Sequence, residues 1–207
     1  MTGRADVKVG VMGGTFDPVH LAHLIIAEEA RSELKLDKVI FIPAGEPWMK
    51  SDRLITPVEH RLAMVRLAIS TNPAFSISTI EADRKGPAYT VDTLEVLWKE
   101  LGFDTELFLL IGWDSLSTVP LWKAPYRISK MARLVSFPRP GYTKPQIEAL
   151  ESAMPDIAGR MVMMEKPLMD ISSSGIRTDV KSGKSIRYRV PGEVEQYIEE
   201  KGLYLVG

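Results

Sequence analysis

The stretch from Val7 to His23 constrains the fold more than any other part of this chain. A short apolar run, Val7 to Met12, ends at Gly13-Gly14, and after a polar turn the residues Leu21 to Leu34 include the helix formers Ala27, Glu28, Glu29 and Ala30. Strand, glycine turn and helix follow one another without a break. Glycines let backbone approach a guest closely, and a helix start offers N–H groups and the positive end of a dipole. Phosphate is the natural guest of such a turn.

The same alternation continues along the chain. Lys38 to Pro43 (KVIFIP) predicts a second strand, and Val58, Leu62, Val65 and Ile69 recur at spacings that line one helical face. Phe75 to Ile80 predicts a strand, Val91 to Leu101 a helix, and Leu107 to Ile111 a strand ending at Gly112. Arg133 to Phe137 predicts another strand, Gln146 to Met154 a helix, and Met161 to Met164 a last short strand. This pattern predicts an α/β, Rossmann-like, doubly wound and mainly parallel sheet with helices on both faces. At 207 residues one domain is expected, its part from about residue 171 carrying a serine-rich turn and the terminal helices. Ala44 to Pro57, with Gly45, Pro47 and Pro57, predicts a loop at a strand carboxyl end, where such sheets bind ligands. Pro191 to Lys201 predicts a helix with Pro191 in its first turn, and Leu203 to Val206 looks like a strand.

Composition narrows the partners. Lys and Arg number 26 against 27 Asp and Glu, so no global positive field favours duplex nucleic acid or an anionic membrane. A phosphate site must therefore be local. The absence of cysteine excludes disulfides, thiolate catalysis and cysteine-ligated zinc, and it fits a reducing cytoplasm. The N-terminal segment is charged at Arg4, Asp6 and Lys8 and reads as neither signal peptide nor membrane span. Nothing in the surface pattern indicates an oligomeric state.

Within the glycine turn, His20 and His23 lie three residues apart, so on a helix both imidazoles face one anion. Transfer at phosphorus needs chiefly positioning and charge neutralisation, which two histidines supply. The plainer alternative makes His20 a helix cap and His23 a satisfied side chain. Zinc lacks a third ligand, because His60 sits in an unrelated helix beside Arg61. Ile171-Ser172-Ser173-Ser174-Gly175-Ile176-Arg177 places good N-caps before a helix, with Arg177 one turn inside. Either the serines only cap that helix, or its N–H groups and hydroxyls, with the Arg177 fork, hold an anion.

GGTFDPVHLAH, from Gly13 to His23, resembles the nucleotide-binding signature of bacterial nicotinate mononucleotide adenylyltransferases, in the nucleotidyltransferase superfamily marked by an HxGH-type motif. Ala22 stands where that family keeps glycine. Ile171 to Arg177 is similar to the family's second signature, and the two occur in family order roughly 150 residues apart. Ile111-Gly112-Trp113-Asp114 resembles its GAD segment, with Trp113 replacing a small residue. Lys50 falls where the family places a lysine that reaches phosphate, although Trp48-Met49 replaces its usual Pro-His. Ala88 to Leu94, Val119 to Trp122, Tyr188 to Pro191 and the final Tyr197 to Tyr204 extend the likeness along nearly the whole chain. The shorter phosphopantetheine adenylyltransferases fit less well in length and in this tail.

The resemblance implies transfer of AMP from ATP to nicotinate mononucleotide, giving nicotinate adenine dinucleotide and pyrophosphate. It implies His20, His23, Lys50 and Arg177 as catalytic residues. ATP would be held by Gly13, Gly14, Thr15, Phe16, His20, His23, Gly112, Asp114, Ile171, Ser172, Ser173, Ser174 and Arg177, with Asp114 on the ribose hydroxyls. The acceptor would meet Asp17, Lys50, Tyr89, Thr90 and Trp122, an aromatic plane stacking on the pyridinium. Without the resemblance, Asp114 serves equally well as a helix N-cap, and Tyr89 and Trp122 as ordinary core or surface aromatics. Mg2+ would arrive with the triphosphate, held by phosphate oxygens and water rather than by a protein carboxylate cage. Nicotinamide mononucleotide as acceptor, or a nucleotide-binding regulator without turnover, are the rival expectations.

Overall fold

The computed structural model describes residues 7–45 and 55–205. Its six strands are β1 (Lys8–Gly14), β2 (Lys38–Pro43), β3 (Phe75–Ile77), β4 (Glu106–Gly112), β5 (Ala132–Phe137) and β6 (Met161–Met163). They form one sheet in the order β3-β2-β1-β4-β5-β6, and every neighbouring pair is parallel. The central runs of β2 and β4 carry apolar residues at successive positions because both faces of the sheet are covered. β1 sends Val9 and Val11 to one face and Met12 to the other, β2 divides Ile40 and Ile42 from Val39 and Phe41, and β4 divides Leu107 and Leu109 from Phe108 and Leu110.

One layer is built on α1 (Leu21–Leu34), α2 (Val58–Ile69) and α8 (Gly192–Glu200), through Ala27, Ala30, Met64, Val65, Val194 and Ile198. The other is built on α3 (Thr90–Leu101) and α5 (Pro125–Met131), through Val91, Leu94, Leu97 and Ile128. Between these lie the short α4 (Trp113–Leu116) and α6 (Glu148–Glu151), and α7 (Ser173–Lys181) precedes α8. Phe41, Ile42, Leu94 and Leu107 are at most 1% exposed, and each such burial contributes about 1.5–3 kcal/mol. The chain leaves β1 toward β2 and returns on its other side as β4, so the strand order reverses between them. Ligands of such sheets bind in the crevice at that reversal, beyond the strand carboxyl ends.

Several sequence expectations are corrected in detail. β1 runs through its glycines, Gly13 and Gly14 pairing with Ile42 and Pro43, so the turn proper is Thr15 to His20. β3 stops at Ile77 rather than Ile80, pairing with β2 at three positions. The helix expected from Gln146 to Met154 contracts to α6, while α5, with Pro125 in its first turn, had not been anticipated. Leu203 to Leu205 form a turn, not a strand. Gly202, at φ 60°, donates to the Glu199 carbonyl and Leu203 to that of Ile198, a Schellman ending that folds the tail back on α8.

Candidate active site

The turn after β1 is held from below by side chains distant in sequence. Asp17 is 4% exposed, and its Oδ1 accepts from the Tyr204 hydroxyl at 2.8 Å while its Oδ2 accepts from the Thr56 N–H at 3.3 Å. Burial and then the Asp17 carboxylate push the Tyr204 hydroxyl pKa up, which keeps it a donor. The Asp17 carbonyl accepts from Arg177 Nη1 at 2.6 Å, and the neighbouring Pro18 carbonyl accepts from Ser173 Oγ at 2.9 Å. The two signatures are thereby bonded directly to each other. Asp17, expected to meet the acceptor, has both carboxylate oxygens engaged within the protein.

His20 occupies the N-cap position of α1 without a side-chain cap bond, and its backbone N–H donates to His23 Nδ1 at 3.2 Å. The two imidazoles stack at 3.7 Å between centroids, and Phe16 meets the His23 ring edge-on at 5.0 Å. His20 is 6% exposed, and its Nδ1 has no hydrogen-bond partner among the described residues. Burial, reinforced by the Arg139 cation, pushes its pKa down to about 4, so it is neutral at pH 7. The start of α1 is less open than its position suggests. The Leu21 N–H donates to the Arg189 carbonyl and the His23 N–H to that of His20.

At the start of α7, Ser172 is the N-cap, its Oγ accepting from the Gly175 N–H at 3.2 Å. Across the crevice, Gly112 caps α4 and Asp114 lies in its first turn, so the N-cap alternative for Asp114 is not what forms. Asp114 Oδ2 accepts from Arg139 Nη1 at 2.7 Å, and its buried Oδ1 has no partner among the described residues. A Cβ on Gly112 would lie 2.4 Å from that oxygen, so this position requires glycine for the carboxylate to approach. Trp113, which stands where the family has a small residue, does not line the cavity.

These parts open on one cavity of about 700 Å3. Gly13, Gly14, Thr15, Phe16, Asp17, His20 and His23 line it from the β1 side, Gly112 and Asp114 from the end of β4, and Ile171, Ser172, Ser173, Ser174 and Arg177 from α7. Tyr89, Thr90 and Trp122 line its other end. There Trp122 Nε1 donates to Thr118 Oγ1 at 3.3 Å, and Lys123 Nζ sits 4.6 Å from the Tyr89 ring centroid while pairing with Asp92 at 3.0 Å. Ala22 also lines the cavity, so its methyl group replaces family glycine where a ligand would come close. Lys50, with most of the predicted loop, lies outside the described residues. His60 bonds the Tyr197 hydroxyl at 2.9 Å, away from the histidine pair.

Sequence reasoning missed Arg139, Lys123, Glu81 and Thr93, which line the cavity as well. Arg139 follows the carboxyl end of β5, a position that by itself marks a ligand-facing loop. Glu81 carried no local signal, and Thr93 lies in the Ala88 to Leu94 segment without being singled out; the Thr93 hydroxyl donates to Glu81 Oε1 at 2.7 Å, and burial pushes the Glu81 carboxyl pKa up. Among the described residues no group of three His, Asp or Glu side chains converges on a point that would hold a metal ion, and no helix is long and apolar enough to cross a membrane.

Residues 11–179 match the family model described as Cytidylyltransferase-like. A curated "Probable nicotinate-nucleotide adenylyltransferase" of Dehalococcoides mccartyi is 45% identical over 199 residues, covering 96% of this chain and 98% of the relative. A protein of the same description from Roseiflexus sp. is 46% identical over 200 residues, covering 97% and 99%. Among solved structures, the Plasmodium falciparum nicotinic acid mononucleotide adenylyltransferase complexed with NaAD superposes with a TM-score of 0.78 at 18% identity, over 97% of this chain and 98% of that one. The last likeness speaks for the Rossmann-like fold alone. Identity of this extent over nearly the whole length makes the chain a member of the nicotinate-nucleotide adenylyltransferase family of nucleotidyltransferases.

Proposed function

We propose that this chain, as one domain, transfers AMP from ATP to nicotinate mononucleotide. A phosphate oxygen of the acceptor attacks the α-phosphorus in line, the bond to the β-phosphate oxygen breaks, and nicotinate adenine dinucleotide and pyrophosphate leave. No side chain forms a covalent bond. The observation that carries this reading is the stacked His20–His23 pair lining the cavity, His20 buried and its Nδ1 without a partner among the described residues. A buried polar atom without a partner calls for one, and a neutral imidazole at a transferring phosphoryl group supplies a hydrogen bond as charge develops.

His20 and His23 contact the α-phosphate, Gly13, Gly14, Thr15 and Phe16 let the triphosphate approach backbone, and Ser172 to Arg177, with Lys50, receive the leaving pyrophosphate. Asp114, which lines the cavity, accepts from the ribose hydroxyls. Tyr89 and Trp122 frame the pyridinium, N–H groups near Thr90 and after Trp122 read the carboxylate, and Asp17 serves the acceptor by fixing the turn. Mg2+ would be held by the triphosphate oxygens and water, where it would neutralise charge on the triphosphate. The reaction is assigned to the cytoplasm.

Incubation of the purified chain with ATP, Mg2+ and nicotinate mononucleotide tests the reading. Pyrophosphate and a dinucleotide of the deamido mass should appear together. ATP that binds but yields neither product contradicts it.

A further inference from the structure

Arg61, in α2, is the largest fully buried side chain among the described residues, 2% exposed, and it does not line the cavity. Among the described residues its guanidinium donates to backbone carbonyls alone: Nε to Thr56 at 2.9 Å, Nη1 to Thr15 at 2.9 Å and to Ala44 at 2.6 Å, and Nη2 to Gly45 at 3.1 Å. Three separate segments therefore meet on one rigid fork. Thr15 belongs to the turn that carries the histidines, Ala44 and Gly45 follow β2, and Thr56 precedes α2. Burial pulls the Arg61 pKa down, and Asp17, then Tyr204 and Glu59, pull it back up.

A buried cation is a costly way to gain stability, and an apolar side chain of similar volume often does as well. What an apolar side chain cannot do is fix several carbonyl oxygens in one plane. The far side of the same strap is equally constrained. A Cβ on Gly45 would lie 2.2 Å from the Glu81 carbonyl oxygen, so the chain there is pressed directly on Glu81. Glu81 in turn accepts from Thr93 in α3, the helix whose start, Tyr89 and Thr90, lines the acceptor end of the cavity.

We propose that Arg61 is a positioning residue for adenylyl transfer, setting the register between the histidine-bearing turn and the acceptor end of the cavity through Thr15, Ala44, Gly45 and Glu81. It touches neither substrate. Its loss therefore lowers turnover more than it weakens the binding of either substrate.

The proposal rests on the reaction given above, and one assay separates the two. Wild type, Arg61→Lys and Arg61→Ala are compared for kcat and for KM of ATP and nicotinate mononucleotide, with the folded fraction measured by circular dichroism. Misplacing reacting groups by about 1 Å costs on the order of 100-fold in rate. Arg61→Lys, which keeps the charge but not the fork, should lose at least about tenfold in kcat per folded molecule while both KM values stay within about threefold. Guanidinium ion added to Arg61→Ala should restore part of that turnover and leave wild type unaffected. Turnover of Arg61→Lys within about twofold of wild type, or a loss that only tracks the unfolded fraction, overturns the positioning role. Should Arg61→Lys fail to fold, Gly45→Ala decides, since it displaces the same strap from the other side. Reduced kcat with retained ATP binding supports the proposal, and wild-type turnover overturns it. An inactive wild type instead counts against the assigned reaction.

Discussion

The two ends of the cavity are built differently. At the histidine end, buried groups are fixed by hydrogen bonds that span the chain: Tyr204 and Thr56 on Asp17, Arg177 on the Asp17 carbonyl, Ser173 on the Pro18 carbonyl. At the acceptor end, Trp122 is half-buried, and Lys123, its side chain 50% exposed, leans on Tyr89 and Asp92. Surface pairs of that kind contribute about 0–1 kcal/mol, whereas buried side chain-to-backbone bonds leave costly orphans when broken. On the proposed reaction, the molecule fixes its donors in advance where charge develops and relies on adaptable contact where a ring is recognised. Changes at the first end should therefore appear in kcat, and changes at the second in KM for the acceptor.

Replacing His23 by Ala gives the sharpest contrast. Loss of one preorganised donor costs about 100- to 1,000-fold in kcat, and ATP binding, followed by calorimetry, should change far less. Equal losses in turnover and affinity would erase the distinction between the ends.

Acid tests the same burial through stability. The His20 pKa falls from 6.5 to about 4 on folding, so on acidification the unfolded chain takes up its proton first. The stability His20 contributes by staying neutral is complete above about pH 6.5 and is lost as pH falls through about 4, amounting to roughly 2–3 kcal/mol by pH 4.5. Urea titrations at pH 7 and pH 4.5 should show this loss in wild type and a smaller one in His20→Gln. An identical loss in both would place the acid sensitivity elsewhere.

At the other end, Trp122→Ala should raise KM for nicotinate mononucleotide by about tenfold, the scale of one lost aromatic contact with its buried area, while KM for ATP holds in steady-state assays. A fall in kcat alone would make the acceptor end part of the rigid machinery. Lys123→Ala should do least. Its exposed pair with Asp92 predicts a change within about twofold in any kinetic constant, and a larger rise in acceptor KM would give Lys123 a direct part in reading the ring's carboxylate.

How much was legible in the sequence follows the same division between local and distant. The strands were readable because both faces of the sheet are buried, making runs such as those of β2 and β4 largely apolar, and the Gly13 to His23 and Ile171 to Arg177 signatures were readable because turn and cap chemistry is local. Arg61, Glu81 and Tyr204 were not. The partners of Arg61 come from three segments, Glu81 pairs with a threonine in another element, and Tyr204 reaches Asp17 only because Gly202 turns the tail back on α8. Alternating Leu203, Tyr204, Leu205 imitates a strand, but Gly202 before it and Tyr204 within it are both left-handed, at φ 60° and 68°.

The central claim is most directly tested by competition. ATP labelled at the α-phosphate is mixed with the chain, Mg2+ and equal amounts of nicotinate and nicotinamide mononucleotides, and the labelled dinucleotides are separated. Label predominantly in nicotinate adenine dinucleotide is the predicted result; label predominantly in the amide dinucleotide, or in neither, would contradict it.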